Sequence, residues 1–272
     1  MAERSPVITL LSDFGLTDPF VGMMKGVILS RTPQARLVDI THSVPPQDVA
    51  TASFLLAASY PYFPPGTVHL AVVDPGVGTQ RRPLAALIND HFFVAPDNGL
   101  LSHVLAGAQE SQIVHLNRPQ FFLPSISRTF HGRDLFAPVS ASLAGGASLS
   151  ALGTPVLDPV LLPVSRPAIT PDRIEAHLIY CDHFGNLVSD LTEEMFAGWL
   201  PRANVAFRIQ AGSVVLDRFC ISYSEVAVGQ PLAIFDSFGH LEIAIREGNA
   251  CRQLGLKPGD PVEIRIERGA FP

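Results

Sequence analysis

Charge is scarce in this chain. Only 16% of its 272 residues are Asp, Glu, Lys or Arg while 47% are hydrophobic, against about 25% charged in ordinary soluble domains. Yet no uninterrupted apolar run reaches the roughly 18 residues of a membrane span, so no membrane partner is expected. The apolar excess belongs in cores or subunit interfaces. Basic tracts are also missing and the net charge is −6, which argues against a nucleic-acid partner. Cys181, Cys220 and Cys251 are odd in number and form no CxxC; this argues against a disulfide framework and against a zinc site, and they are read as reduced core residues. The opening MAERSPVITL has no charged-then-apolar pattern, so a cytoplasmic location is expected. GxGxxG and P-loop patterns are absent, which weighs against a dinucleotide or ATP. His42, His69, His103, His115 and His177 are dispersed without ligand spacing, so no metal is expected.

What is present divides the chain. Up to about residue 146, β-branched runs such as VITLL and TVHLAVV alternate with helical patterns at 20–30 and 48–60. That alternation predicts an α/β domain with a mostly parallel sheet flanked by helices, over residues 1–157. Continuously apolar strands fit burial on both faces. A proline-rich linker follows at 158–173, where X-Pro steps discourage regular structure. Residues 174–272 switch to strands with short turns, predicting an all-β, barrel-like C-terminal domain; HLEIAIRE and VEIRIE are read as alternating, with one solvated face.

Ligands of open parallel sheets bind beyond the carboxyl ends of the strands. Asp13, Asp39, Asp74 and Asp97 fall at or near such ends. Aspartate is also an ordinary turn and N-cap residue. VVDPGVGTQRRP adds more than an acid, because its glycines admit a close backbone approach and Arg81 and Arg82 return on the far side of the loop. Either a surface brace or, in a dry cleft, an arginine that keeps Asp74 ionised accounts for the pair. TFHGRDL brings His131, able to move a proton near neutrality. In SDFGLTDPF, a carboxylate at Asp13 can grip a ribose diol, the alternative being two carboxylates for a metal, and Asp18 is read as an N-cap. In DHFGN, Phe184 is suited to stacking on a base and Asn186 to pairing with a heterocycle edge, although FGN also reads as an ordinary turn.

SDFGLTDPFVGMMKGVI, DITHSVPPQDV, VVDPGVGTQRRP, VAPDNGLLS, TFHGRD, DHFGN and SFGHLEIAIREGNA occur in that order. Together they resemble the S-adenosyl-L-methionine (SAM) hydroxide adenosyltransferases, or SAM hydrolases, relatives of fluorinase and chlorinase. The resemblance implies a homotrimer with active sites where one subunit's N-terminal domain meets the next subunit's C-terminal domain. It places the catalytic set on Asp74, Arg81 and His131, the ribose carboxylate on Asp13, and Asp18 near the methionine. Asp182 and Ser237 match contacts to the methionine amino and carboxylate groups, Asn186 and the backbone around Asn249 and Ala250 the adenine edge, and Phe184 an aromatic at that same adenine site. Halogenases carry tyrosines where this chain has Asp74 and His131, and fluorinase a serine at Gly132, so the resemblance is to the water-using branch. Asp236, His240 and His183 depart from the family's usual residues.

The implied reaction converts SAM and water to adenosine and methionine by attack at the ribose 5′ carbon. SAM is then the substrate, and no cofactor is required. Two other readings compete: a metal-dependent nucleotide phosphatase built on Asp13, Asp18, Asp39 and Asp97, and a non-catalytic adenosine or SAM sensor.

Overall fold

The computed structural model describes residues 5–200 and 205–267. It divides into two compact units, Met1–Val164 and Ser165–Pro272. In the first, the order is β1 (Val7–Ser12), α1 (Phe20–Arg31), β2 (Arg36–Thr41), α2 (Val49–Ser59), β3 (Val68–Val72), β4 (Pro83–Ile88), β5 (His91–Pro96), α3 (Ser102–Ala106), β6 (Ser111–Leu116), α4 (Ala137–Ala144), α5 (Leu149–Leu152) and β7 (Gly153–Pro155). A seven-stranded sheet runs β2-β1-β3-β5-β4-β6-β7.

The sheet is mixed rather than mostly parallel. Strands β2, β1, β3 and β5 pair in parallel, whereas β4, β6 and β7 join antiparallel. The cause is local: Asn89 and Asp90, with φ of 47° and 63°, turn β4 directly into β5. Two positive-φ residues make the tight hairpin turn whose twist matches its strands, and a connection this short cannot cross over to a parallel neighbour.

Alternate residues of the central strands face two separate cores. Ile8, Leu10, Leu70 and Val94 pack with Met24 and Ile28 of α1 and Val139 of α4; Leu11, Ala71, Phe93 and Ala95 pack with Ala52 and Leu56 of α2 and Val104 of α3. Period-two alternation with both faces covered is why these strands read as unbroken apolar runs. Helix α2 starts where the Asp48 carboxylate accepts the Thr51 N–H at 2.9 Å. Helix α1 differs from expectation: Asp18 is not its N-cap, because Pro19 holds that position with no side-chain cap. The first intrahelical bond runs from the Met23 N–H to the Pro19 carbonyl at 2.9 Å, which puts Pro19, one residue past Asp18, in the cap position.

The second unit contains β8 (Ala168–Thr170), β9 (Arg173–Cys181), β10 (Leu187–Thr192), α6 (Glu193–Trp199), β11 (Phe207–Ala211), β12 (Val214–Leu216), β13 (Pro231–Phe235), β14 (His240–Ile245), α7 (Ala250–Leu254) and β15 (Pro261–Ile266). The named strands pair antiparallel, in the order β12-β11-β15-β9-β10-β14-β13 with β8 on β9. Strands β12 and β13 lie against each other, so the sheet nearly closes into a barrel around Ile174, Leu187, Ile209, Leu241 and Val262. Strand β15 alternates as expected, but β14 does not: from Leu241 to Ile245 every residue is buried, Glu242 included. The outer side of β14 packs Ala244 with Leu232, Ile234 and Cys220 in a small second core, which removes the solvated face. Among the described residues no helix is long and apolar enough to cross a membrane.

Candidate active site

Asp74 leaves the end of β3 and Arg81 enters β4, so the glycine loop between them folds back on itself. Arg81 Nε donates to Asp74 Oδ1 at 2.8 Å and to Oδ2 at 3.0 Å, and its Nη2 makes a further short contact with Oδ2. The same Nη2 lies 2.8 Å from His131 Nδ1. The Asp74 and Arg81 side chains are only 5% and 9% exposed, which places the pair outside the class of weak surface bridges. The guanidinium carbon sits 5.2 Å from the centre of the Phe136 ring, an apolar and electron-rich floor for the cation.

Arginine is a donor only. The bond from Arg81 therefore meets the lone pair of His131 Nδ1, and the neutral ring carries its proton on Nε2. Burial, then the Arg81 cation, hold the imidazole below its ordinary pKa despite the opposing Asp74 and Asp134 charges. His131 is thus a neutral Nε2–H donor near pH 7, while Asp74 keeps lone-pair directions that Arg81 does not use.

The surrounding chain fixes this cluster. A side chain at Gly78, where φ is +77°, would put its Cβ 2.4 Å from the Arg128 carbonyl oxygen, so the loop can pack only as glycine. Directly after His131, Gly132–Phe136 forms a π-helical turn leading into α4, a wide turn often found at functional sites. Within it the fully buried Asp134 accepts the Ser127 N–H at 2.8 Å and the Arg133 Nε at 2.6 Å. Arg82 points elsewhere: Nε binds Asp97 at 2.7 Å, while Nη1 and Nη2 hold the Asp158 carboxylate and carbonyl at 2.8 and 2.6 Å. Asp97 also accepts the Val160 N–H at 2.7 Å, so both its oxygens brace the proline-rich segment.

Asp13 is half-buried at the end of β1 and accepts the Gln47 N–H at 2.8 Å. Asp18 lies exposed ahead of α1, and Asp39 is held by Lys25 and His42. The four carboxylates of the phosphatase reading are therefore not gathered into one ligand set; among the described residues no metal-ligating group of three or more His, Cys, Asp or Glu occurs.

In the second unit, Asp182, Phe184, Asn186 and Ser237 line one cavity of about 880 Å³. The β9–β10 turn is built by Asp182, whose two oxygens accept the Asn186 N–H at 2.8 Å and its Nδ2 at 3.2 Å. Gly185, with φ +88°, lies against Asn249; a Cβ there would approach the Asn249 amide to 2.1 Å. Asn249 caps α7 by accepting the Arg252 N–H at 2.8 Å, and the neighbouring Cys251 N–H binds the Gly185 carbonyl at 2.9 Å. Ala250 is fully buried. Phe184 is 73% exposed, an open ring face at the cavity. Asp236 caps its own turn through the Phe238 and His240 N–H groups, while the His240 ring reaches across to the Ser189 carbonyl of the neighbouring strand; of the departures from the family pattern, Asp236 is thus local turn chemistry and His240 a cross-strand contact.

Glu242 and Tyr223 line the same cavity and are absent from the sequence-based set. The Tyr223 hydroxyl donates to the Glu242 carboxyl at 2.8 Å. Burial, with the Asp182 and Asp236 charges nearby, raises that carboxyl to about 7. The available signal is an acid inside the otherwise apolar HLEIAI.

The family profile described as SAM hydroxide adenosyltransferase N-terminal domain matches residues 8–153, and the corresponding C-terminal domain profile matches 176–263. A Salinispora tropica protein named (R)-S-adenosyl-L-methionine hydrolase is 38% identical over 96% of this chain and 98% of its own. One of the same name from Thermus thermophilus is 38% identical over 94% and 98%. A Nocardia brasiliensis fluorinase is more distant, at 26% identity over 97% and 98%. The crystal structure of an uncharacterized conserved protein from Thermotoga maritima superposes with a TM-score of 0.89 and 35% identity, covering 95% of this chain and 99% of that one.

Proposed function

Because the chain belongs to the SAM hydroxide adenosyltransferase family, we propose that it hydrolyses S-adenosyl-L-methionine to adenosine and L-methionine. The observation that carries this reading is the desolvated Asp74–Arg81–His131 cluster. Oxygen from water forms a bond to the ribose 5′ carbon as the carbon–sulfur bond breaks; the sulfonium leaves as neutral methionine thioether and one proton is released. A leaving group that departs neutral needs no acid, so the demand falls on the nucleophile. In our reading Arg81 holds the Asp74 carboxylate in one orientation, Asp74 accepts a proton or hydrogen bond from the attacking water, and His131 Nε2–H donates to its oxygen and holds it in line. Positioning of this kind is worth up to about 7–11 kcal/mol of a barrier, and a dry pocket favours a reaction that disperses the sulfonium charge.

Substrate contacts follow the same reading. Asp13, whose Oδ2 is held by the Gln47 N–H, grips the ribose diol, with Asp18 near the methionine. Asp182 and Ser237 meet the methionine amino and carboxylate ends; Phe184, Asn186, Asn249 and the Ala250 backbone meet the adenine. No cofactor takes part. The assembly proposed is a homotrimer whose sites join the N-terminal unit of one subunit to the C-terminal unit of the next, and the location is the cytoplasm, supported by the free thiols of Cys181, Cys220 and Cys251.

The test is product analysis in oxygen-18 water. The expected outcome is adenosine and methionine in equal amounts, with the heavy oxygen in the adenosine 5′-hydroxyl. Adenosine formed without that label would rule out attack by solvent, and tight SAM binding without turnover would identify a sensor.

A further inference from the structure

The ends of β1 and β2 carry a polar chain, buried at Ser12 and His42 and exposed at Asp39, that the reaction does not touch. Ser12 is fully buried and precedes Asp13; its hydroxyl oxygen accepts the Phe14 N–H at 3.3 Å and lies 2.7 Å from His42 Nδ1. The His42 side chain is 2% exposed, and its Nε2 stands 3.1 Å from Asp39 Oδ1, in a contact too bent for a regular hydrogen bond. On the far side Lys25 Nζ donates to Asp39 Oδ2 at 2.6 Å. With a proton on Nε2, on the side of the carboxylate, Nδ1 is placed to accept from the Ser12 hydroxyl. His42 acts once more through its backbone, where its carbonyl accepts the Gly15 N–H at 2.8 Å. One residue therefore holds the chain on both sides of Asp13. The loop that follows β2 supplies the third support, the Gln47 N–H on Asp13 Oδ2, from a residue held at φ 66°.

We infer that His42 is the positioning residue for Asp13, clamping Ser12 and Gly15 so that the Asp13 carboxylate is presented in one orientation to the two ribose hydroxyls. The inference rests on the ribose-gripping role proposed for Asp13. A carboxylate free to rotate still binds a diol, but loses geometric selectivity for two adjacent hydroxyls. Lys25 and Asp39 anchor the outer end of the chain.

The side-chain half of the clamp can be tested by calorimetric titration with adenosine and with 2′,3′-dideoxyadenosine. Wild-type protein should prefer adenosine by at least about tenfold, the scale of one or two hydrogen bonds to a charged group, and Asp13→Asn should abolish that preference. His42→Gln, whose amide reaches the Nε2 position but not Ser12, should reduce the preference to within about threefold of none. His42→Asn, whose amide falls near Nδ1, should restore most of it, and Asp39→Asn should weaken it in between. A general loss of stability would weaken both nucleosides alike and leave their ratio intact. If Asp13→Asn abolishes the preference while His42→Gln and Asp39→Asn keep it, the positioning role is overturned and the Asp13 reading stands. If the wild type binds both nucleosides equally, the Asp13 reading itself fails, and this inference with it.

Discussion

Arg81 and Arg82 are neighbours in sequence, and the structure gives them opposite surroundings. Arg81 is enclosed with Asp74 and His131, whereas Arg82 is 29% exposed and ties Asp97 to Asp158. Arg81→Ala should lower kcat by about a thousandfold, the usual scale for losing one charge-stabilising group, with a far smaller change in SAM affinity. Arg82→Ala should instead lower stability by about 2 kcal/mol in urea denaturation, because the nearly buried Asp97 loses its counter-ion, while kcat stays within about threefold. Exchanged outcomes would show the two roles to be reversed. The acid side of the pH profile belongs to the same scale. His131 sits below the ordinary histidine value through burial and Arg81, so it stays neutral as pH falls past 6.5. The acid limb of kcat/KM should therefore lie below pH 6.5; a limb above it would mean that His131 is not protonated as the structure implies.

At the scale of elements, the helices and strands were legible from periodicity, and the sheet's direction was not. PLAALI and the FFVA run read as two more buried strands because burial on both faces erases the alternation that marks a hairpin. The signal lay in Asn89–Asp90, two residues tolerant of positive φ. Candidate site residues at strand ends were equally legible, since Asp13 and Asp74 follow apolar runs directly. Glu242 was not, because a lone acid in the largely apolar HLEIAI run fits a solvated face as well as a buried one. Burial also sets the pH response of the sheet. His69 of β3 is fully buried, with Thr9 Oγ1 2.8 Å from Nδ1 and His91 3.1 Å from Nε2. Burial, then the His91 charge, push it down to about 3. The unfolded chain takes this proton below about pH 6.5 and the native state refuses it, so this contribution is complete above 6.5 and is lost as pH falls toward 3. Between pH 7 and pH 5 the wild type should lose about 2 kcal/mol of stability from this residue. His69→Gln should flatten that dependence in paired denaturation curves; an unchanged slope would place the effect elsewhere.

For the whole molecule, the proposed trimer makes a claim that no single chain can satisfy. Asp74→Ala and Asn186→Ala lie in different compact units, and each alone should be inactive. Co-expressed, they should regain activity, because random mixing leaves roughly one site in four with both contributions intact. A monomeric mass, or no recovery in mixed trimers, would overturn the shared site.

The α/β and all-β halves, the family, and the short motifs that carry polar groups among apolar runs could be read from the order of residues, because periodicity and motif order are local properties. What those groups meet is settled by packing. Asp74 and His131 are 57 residues apart, and it is the return of β4 and the π-helical turn ahead of α4 that bring Arg81 between them. The enclosure of Arg81 with Asp74 and His131, the turning of Arg82 toward Asp97 and Asp158, the proton on Nε2 of His131 and the bonds His42 makes on either side of Asp13 all depend on which atom faces which, and that is set by packing rather than by order along the chain.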